Sequence, residues 1–221
     1  MVLGWSLFFF AAFAVPLTVN TLQNTQKDTY KTRVSADTLT STEFAVTTFL
    51  HALGNSGDTL NPDNSTFSNK NPDRNRLTVI VNAYNANSQL VLSKTDSVSY
   101  NEAKGAFTNI VDMGNTLPTG DYIIKIKIDG YLIRRIAGLQ HVTALTRVTL
   151  PAVTLVAGDF DNNNAINVLD YNFLMGCYSD IMDPAFCDLH KAITADISND
   201  SKVNQLDYNL FIREIGVQHG D

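Results

Sequence analysis

The chain has 221 residues, a formal net charge of −6 at pH 7 and an apolar fraction of 44%. This length allows one β-sandwich of ordinary size and a smaller module, each with its own core. An acidic chain without a basic stripe excludes nucleic acid as an expected partner.

The N-terminal 26 residues carry no charged side chain. The apolar run of residues 2–19 is long enough for a marginal membrane span and would then anchor the protein in a membrane. The same run contains Ala12-Phe13-Ala14, which fits the cleavage site of a secretory signal. A buried soluble helix is a third alternative, which Pro16 fits poorly. We expect an exported or cell-surface protein with a signal peptide or anchor at residues 1–22.

Residues 23–43 are rich in Thr, Gln, Asp and Ser, and predict an exposed linker. After it, residues 44–156 alternate between β-branched apolar runs and turn signals. The candidate strands cover residues 44–53, 77–84, 89–95, 105–113, 122–128, the run after the Asp129-Gly130 turn, and 147–156. About seven short strands in this length predict an immunoglobulin-like β-sandwich. The Asn- and Pro-rich residues 54–75 predict a long loop.

One segment of this region, TLPTGDYIIKIKIDGYLIRR at residues 116–135, resembles the fibronectin-III-like and carboxypeptidase-regulatory-like sandwiches of surface proteins. The resemblance implies a structural domain that braces whatever follows it.

A twelve-residue pattern occurs twice in residues 157–221, at an offset of 37 residues: DFDNNNAINVLD at 159–170 and DISNDSKVNQLD at 196–207. Calcium prefers six to eight oxygen ligands, which such loops supply from positions 1, 3, 5, 7, 9 and 12. The sequence therefore predicts two structural Ca²⁺ ions. The predicted ligands are Asp159, Asp161, Asn163, the Ala165 carbonyl, Asn167 and Asp170 in the first loop, and Asp196, Ser198, Asp200, the Lys202 carbonyl, Asn204 and Asp207 in the second.

The loops depart from the EF-hand rule at position 6, where Asn164 and Ser201 replace Gly, and at position 12, where Asp replaces Glu. Acidic turns also occur by chance in surface loops. The two copies, however, share a continuation beginning LDYN, which favours a true repeat. The β-branched residues before Asp159 do not predict an entering helix, so we expect a loop followed by one helix.

The paired loops and the LDYN helix starts resemble the type I dockerin family, over about the last 60 residues. The resemblance implies a small α-helical module with two EF-hand-type calcium loops that docks onto a cohesin-like partner. It places the partner surface at Val168, Leu169, Gln205 and Leu206, although core packing is the more ordinary role of the two leucines. The apolar residues that follow, Tyr171, Phe173, Leu174, Tyr208, Leu210 and Phe211, have helix-compatible spacing and predict a small core between the repeats.

The two cysteines of the chain, Cys177 and Cys187, lie between the repeats. Their spacing fits no common zinc site, which needs four ligands in close pairs. A disulfide is the simpler interpretation in an exported protein. Two buried free thiols in a cytosolic protein are the alternative.

No catalytic motif is recognisable in the sequence. The four histidines, His51, His141, His190 and His219, are scattered, and surface or turn positions are their ordinary interpretation. Metal ligation explains the clustered carboxylates better than acid–base catalysis does. We therefore expect a non-catalytic protein whose C-terminal region mediates protein–protein docking.

Two other functions fit the same sequence. In the first, the protein is a structural adhesin, and the calcium region only caps the sandwich. In the second, the sandwich binds carbohydrate through an exposed aromatic row, for which Tyr84, Tyr100, Tyr122 and Tyr131 are the candidates, although core or edge packing is their more ordinary role.

Overall fold

The computed structural model describes residues 39–54, 68–179, 187–215 and 220–221. The predicted signal peptide or anchor at residues 1–22 lies outside the described residues, as does most of the predicted linker. Within the described part of the chain, no helix has the length and apolar character that crossing a membrane requires.

Alternation of apolar and polar residues builds the strands. In Thr42–Leu50 and Gly120–Ile128 every second side chain is buried, as a sheet with one covered face requires. The eleven strands of the described residues are β1 Thr42–Leu50, β2 Arg76–Tyr84, β3 Leu90–Asn101, β4 Ala106–Gly114, β5 Gly120–Ile128, β6 Gly130–Tyr131, β7 Arg134–Arg135, β8 Gln140–Val142, β9 Arg147–Thr149, β10 Val153–Leu155 and β11 Ala157–Asp159.

Nine of these strands form one hydrogen-bonded sheet, in the order β10-β1-β4-β3-β2-β5-β7, with β8 on β5 and β9 on β1. β3 pairs with β2 along most of its length but with β4 only over Ser99–Asn101. The sheet therefore folds over at this corner into two facing halves, which gives a sandwich-like architecture. β6 and β11 form a separate two-stranded ribbon.

The sandwich-like β architecture agrees with the prediction, but the strands are more numerous than the seven expected. The predicted strand at residues 147–156 is divided into β9 and β10 by Leu150, Pro151 and Ala152, because proline has no N–H to donate to the sheet. Both pieces pair with β1 in parallel.

Three helices follow the sheet: α1 Val168–Cys177, α2 Leu189–Ala195 and α3 Gln205–Glu214. α1 and α3 each begin with a capping box. In α1 the Asn167 side chain accepts from the helix backbone while Asp170 accepts from the Asn167 N–H, and Asn204 and Asp207 repeat this arrangement in α3. The second loop is entered from α2, so the expectation of a loop without a preceding helix is wrong there.

The helices share the core of the sheet. Phe160, Leu174, Leu210 and Phe211 belong to the same continuous buried cluster as Phe44 and other inward side chains of the strands. All of the described residues accordingly lie in one compact unit, Asp37–Asp221. The domain boundary predicted between the sandwich at residues 44–156 and the calcium region at residues 157–221 stays a prediction.

The structure joins Cys177, at the end of α1, to Cys187, just before α2, by a disulfide with a Cα–Cα distance of 4.8 Å. Replacing both cysteines by Ser should lower the free energy of unfolding by about 2 to 3 kcal/mol, because the bond restricts the unfolded chain. Urea denaturation in the presence of Ca²⁺ measures this loss. The matched control is the wild type in dithiothreitol, which should show the same loss, and equal stability of all three samples would contradict the prediction.

Candidate metal centre

Each predicted loop gathers three carboxylates. The side-chain oxygens of Asp159, Asp161 and Asp170 lie within 4.8 Å of one another in the first loop, and those of Asp196, Asp200 and Asp207 do so in the second. In both loops the carboxylates at positions 1 and 12 are buried and the third is exposed. Carboxylate oxygens converging at this distance are a donor set suited to a hard cation such as Ca²⁺.

Backbone donors orient the buried carboxylate at position 12 in the same way in both loops. Asp170 accepts from the N–H groups of Asp161 at 3.3 Å and Asn167 at 2.9 Å, which are loop positions 3 and 9, and in addition from that of Phe160 at 2.8 Å. Asp207 accepts from those of Ser198 at 2.8 Å and Asn204 at 2.9 Å. The repeat in sequence is thus a repeat in hydrogen bonding.

The backbone turns through the left-handed region at positions 4 and 6 of each loop. The φ angles are +61° at Asn162 and +67° at Asn164, and +53° at Asn199 and +69° at Ser201. The Asn164 N–H then points at the Asp159 carboxylate and the Ser201 N–H at the Asp196 carboxylate. Asn and Ser therefore take the conformation for which Gly is the usual choice.

The other predicted ligands have additional roles. The side-chain oxygens of Asn167 and Asn204 cap α1 and α3 by accepting from Leu169 and Leu206. Asn163 accepts from the Ala165 N–H. Ser198 is buried, with its hydroxyl 3.4 Å from Asp196, and Lys202 is exposed.

Sequence reasoning missed the residues that attach the loops to the sandwich. Asn162 accepts from the Gly130 N–H and donates to Asp129, while Asn199 is bound by Arg74. Lys127 donates to the buried Asp159 at 2.8 Å. The identity of Asn162 and Asn199 in the two repeats was the available signal, because position 4 is not a calcium ligand and has no other reason to repeat.

The predicted partner residues lie at the starts of α1 and α3 and are exposed. Val168 is 67% exposed, Leu169 57% and Leu206 37%, and Gln205 is also exposed. The expectation that core packing accounts for the two leucines is wrong, because the capping geometry turns these positions away from the core. Leu174, Leu210 and Phe211 are buried instead, with Tyr171, Phe173 and Tyr208 packed partly against them.

Two further expectations are corrected or refined by burial. His51 is buried, and its Nδ1 lies 2.7 Å from Oε2 of the buried Glu214, so a surface position is wrong for this histidine. The candidate aromatic row is not an exposed face: Tyr122 and Tyr131 are buried, and Tyr100 packs on Phe107.

Burial raises the pKa of three loop carboxyls: Asp170, Asp196 and Asp207, the last to about 6. A raised pKa means that the native protein holds more protons than the unfolded chain between pH about 4 and 6. Stripped of metal beforehand and kept in calcium-free buffer, the protein should therefore be more stable at pH 5 than at pH 7.5, with a melting temperature at least about 3 °C higher.

Calorimetry at the two pH values measures this difference. With excess Ca²⁺ the order should reverse, because protons compete with the cation for the same carboxylates. A metal-free melting temperature that rises with pH over this range would contradict the prediction.

Comparison with known proteins gives limited similarity. No protein-family model matches the chain, and no curated protein matches it. An N-terminal interface mutant of a type II cohesin–X-dockerin complex from Acetivibrio cellulolyticus is similar at 17% identity and a TM-score of 0.46, over 78% of this chain and 94% of that chain. A C-terminal interface mutant of the complex is similar at 19% identity and a TM-score of 0.43, over 77% and 94%.

The identification of the chain as a type I dockerin protein is wrong. The described residues are mostly β, and the three short helices share the core of the sheet instead of forming a small helical module of their own. The repeated loops are thus part of a larger sandwich-like unit.

Proposed function

We propose that this chain is a non-catalytic, exported docking module whose two loops hold structural calcium ions. The observation that carries the docking role is the exposed apolar start of α1, Val168 and Leu169, which are positions 10 and 11 of the first loop. Exposed apolar side chains held on a rigid element are suited to fill pockets on a folded protein partner.

Calcium fits the donor set of the loops. The carboxylates of Asp159, Asp170, Asp196 and Asp207 are buried, and buried like charges need a compensating cation. Residues 158–221 carry eleven acidic and three basic side chains, so two divalent ions would offset half of the excess charge. Lys127 and Arg74 supply part of the compensation from the sandwich.

The proposed partner is a protein module of the cohesin–dockerin kind. The similar structures are described as complexes in which a cohesin is bound to an X-dockerin. The sequence predicts a cohesin-like receptor as the partner. If this chain instead has the role of the cohesin in such a complex, its partner is a dockerin.

Biolayer interferometry with the full chain tests the docking role. The probes are a type II cohesin module and a type II dockerin module, each in millimolar Ca²⁺ and in EGTA. We expect one of them to bind in Ca²⁺ only, and Leu169→Asp to weaken that binding about tenfold or more, because a charge would be buried in the interface.

The matched control is Ile110→Asp, an exposed apolar position of β4 that lies far from the loops in sequence and should bind as the wild type does. Failure of both probes to bind would contradict docking of this kind. Binding that persists in EGTA would contradict the role of calcium.

A second candidate, the structural adhesin, is favoured by the shared core. In this function the calcium loops only stabilise the sandwich, to which Asn162 and Asn199 attach them, while the His51–Glu214 pair attaches the end of α3. It predicts strong stabilisation by calcium together with no binding to either probe.

A further inference from the structure

The two loops differ in how the sandwich covers them. Residues 68–75, which we name the strap, precede β2 and cross the second loop. Asn69 Nδ2 donates to the carbonyl oxygens of Ser198 at 2.8 Å and Asn199 at 3.0 Å, and the Asp73 N–H donates to the Asn199 carbonyl at 3.1 Å. The strap therefore binds the main chain at loop positions 3 and 4.

Side chains strengthen the same contact. Arg74 donates through its backbone N–H to Asn199 Oδ1 at 2.9 Å and through its guanidinium to the Asp196 carbonyl at 3.0 Å. The Ser201 hydroxyl donates to Asp73 at 2.6 Å. Positions 1, 3, 4 and 6 of the second loop are thus all held from one side.

The strap is itself fixed to the sandwich. The Asn69 N–H donates to the Ala52 carbonyl at 2.8 Å, and the Gly54 N–H donates to the Asn69 carbonyl at 2.9 Å. Its Pro72 is buried. The strap therefore cannot simply follow the second loop when the loop moves, and such movement must break the hydrogen bonds between them.

The first loop has no equivalent cover in the described structure. Asp161 and Asn162, at positions 3 and 4, are exposed, whereas their counterparts Ser198 and Asn199 are buried. Position 5 is exposed in both loops. The contacts of the first loop to the sandwich run mainly through side chains, such as those of Asn162 and Asn164 to the Gly130 and Ile133 N–H groups. Among the described residues at positions 3 to 5, Asn162 is the one that the sandwich holds, and it is held through its side chain. The main chain at these positions is therefore held less firmly than in the second loop, where the strap binds the backbone carbonyls.

A cation leaves such a loop only when ligands move away from it, so hydrogen bonds that hold ligand positions in place slow its release. We propose that the strap locks the second site, so that its calcium exchanges slowly, while the first site exchanges freely with solvent. A cation also lies near position 1 of each loop, and the Lys127 ammonium is closer to Asp159, at 2.8 Å, than the Arg74 guanidinium is to Asp196, at 3.9 Å. The closer cation competes more strongly with calcium, which adds to the difference. This inference rests on the proposed calcium binding.

Stopped-flow mixing of the calcium-loaded full chain with a fluorescent chelator tests the proposal. Two phases of equal amplitude are expected, with rates at least about tenfold apart, since several hydrogen bonds must break for the slow one. Asp161→Ala should remove the fast phase and Asp200→Ala the slow phase. Asn69→Ala should accelerate the slow phase about fivefold to tenfold and leave the fast phase unchanged.

Lys70→Ala is the matched control, because Lys70 is an exposed residue of the strap and makes none of the contacts described above. It should leave both phases unchanged, and far-ultraviolet circular dichroism should show that each variant is folded. A single rate for both sites, or a slow phase that disappears with Asp161→Ala, would contradict the proposal that the strap locks the second site. Neither result would contradict calcium binding itself. Absence of any bound calcium would overturn the calcium proposal itself.

Discussion

Removal of calcium with EGTA at pH 7.5 should lower the melting temperature of the full chain by at least about 10 °C. A ligand at a thousand times its dissociation constant stabilises the native state by about 4 kcal/mol per site, and each kcal/mol shifts the melting temperature of a chain of this size by about 2 to 4 °C. The cause is local: without metal, the buried carboxylates of Asp159 and Asp170, and of Asp196 and Asp207, repel each other in a desolvated site.

Calorimetry in excess Ca²⁺, in EGTA and in excess Mg²⁺ measures the effect. Magnesium should restore little of the loss, because it demands a smaller octahedral site and keeps its water. The double variant Asp170→Asn and Asp207→Asn should melt at one temperature with or without Ca²⁺, since the carboxylate ligands at position 12 are lost. Equal melting of the wild type in Ca²⁺ and EGTA would contradict structural calcium.

Replacement of Phe211 by Ala should lower the free energy of unfolding by about 3 to 5 kcal/mol, which is the usual loss for a fully buried phenylalanine. Phe211 lies on α3 and is completely buried. Its ring stacks on Phe160 with centroids 5.5 Å apart and packs against Tyr171 at 6.4 Å. The ring also closes over Gly158, where even a methyl group would come within 3.3 Å of it.

The neighbouring Ile212→Ala is the matched control, because Ile212 is 42% exposed on the same helix. Its loss should stay below about 1 kcal/mol. Guanidinium denaturation in Ca²⁺ measures both variants. A Phe211→Ala loss no larger than that of Ile212→Ala would show that the helices contribute little to the common core.

Local signals in the sequence predicted much of the fold. The alternation in Tyr122–Ile128 predicted β5 within two residues, and the Asn and Asp residues at the starts of α1 and α3 fit capping boxes. Such features depend on residues a few positions apart, so a single sequence contains them.

Long-range features were not predictable in this way. The parallel pairing of β1 with β9 and β10 joins residues about a hundred positions apart, and the His51–Glu214 pair spans 163. The strap lies in residues 54–75, for which the sequence predicts only a long polar loop. The dockerin identification failed for the same reason: it used a correct local repeat to infer an autonomous module, whereas the repeat completes the core of the sandwich.

The common core has a consequence for synthesis on the ribosome. The strand region emerges first, but its buried cluster includes Phe160, Leu174, Leu210 and Phe211 from the last part of the chain. Until those residues leave the exit tunnel, the inner faces of the sheet lack part of their cover and present apolar surface to other nascent chains. Completion of the chain then closes the hydrophobic interior.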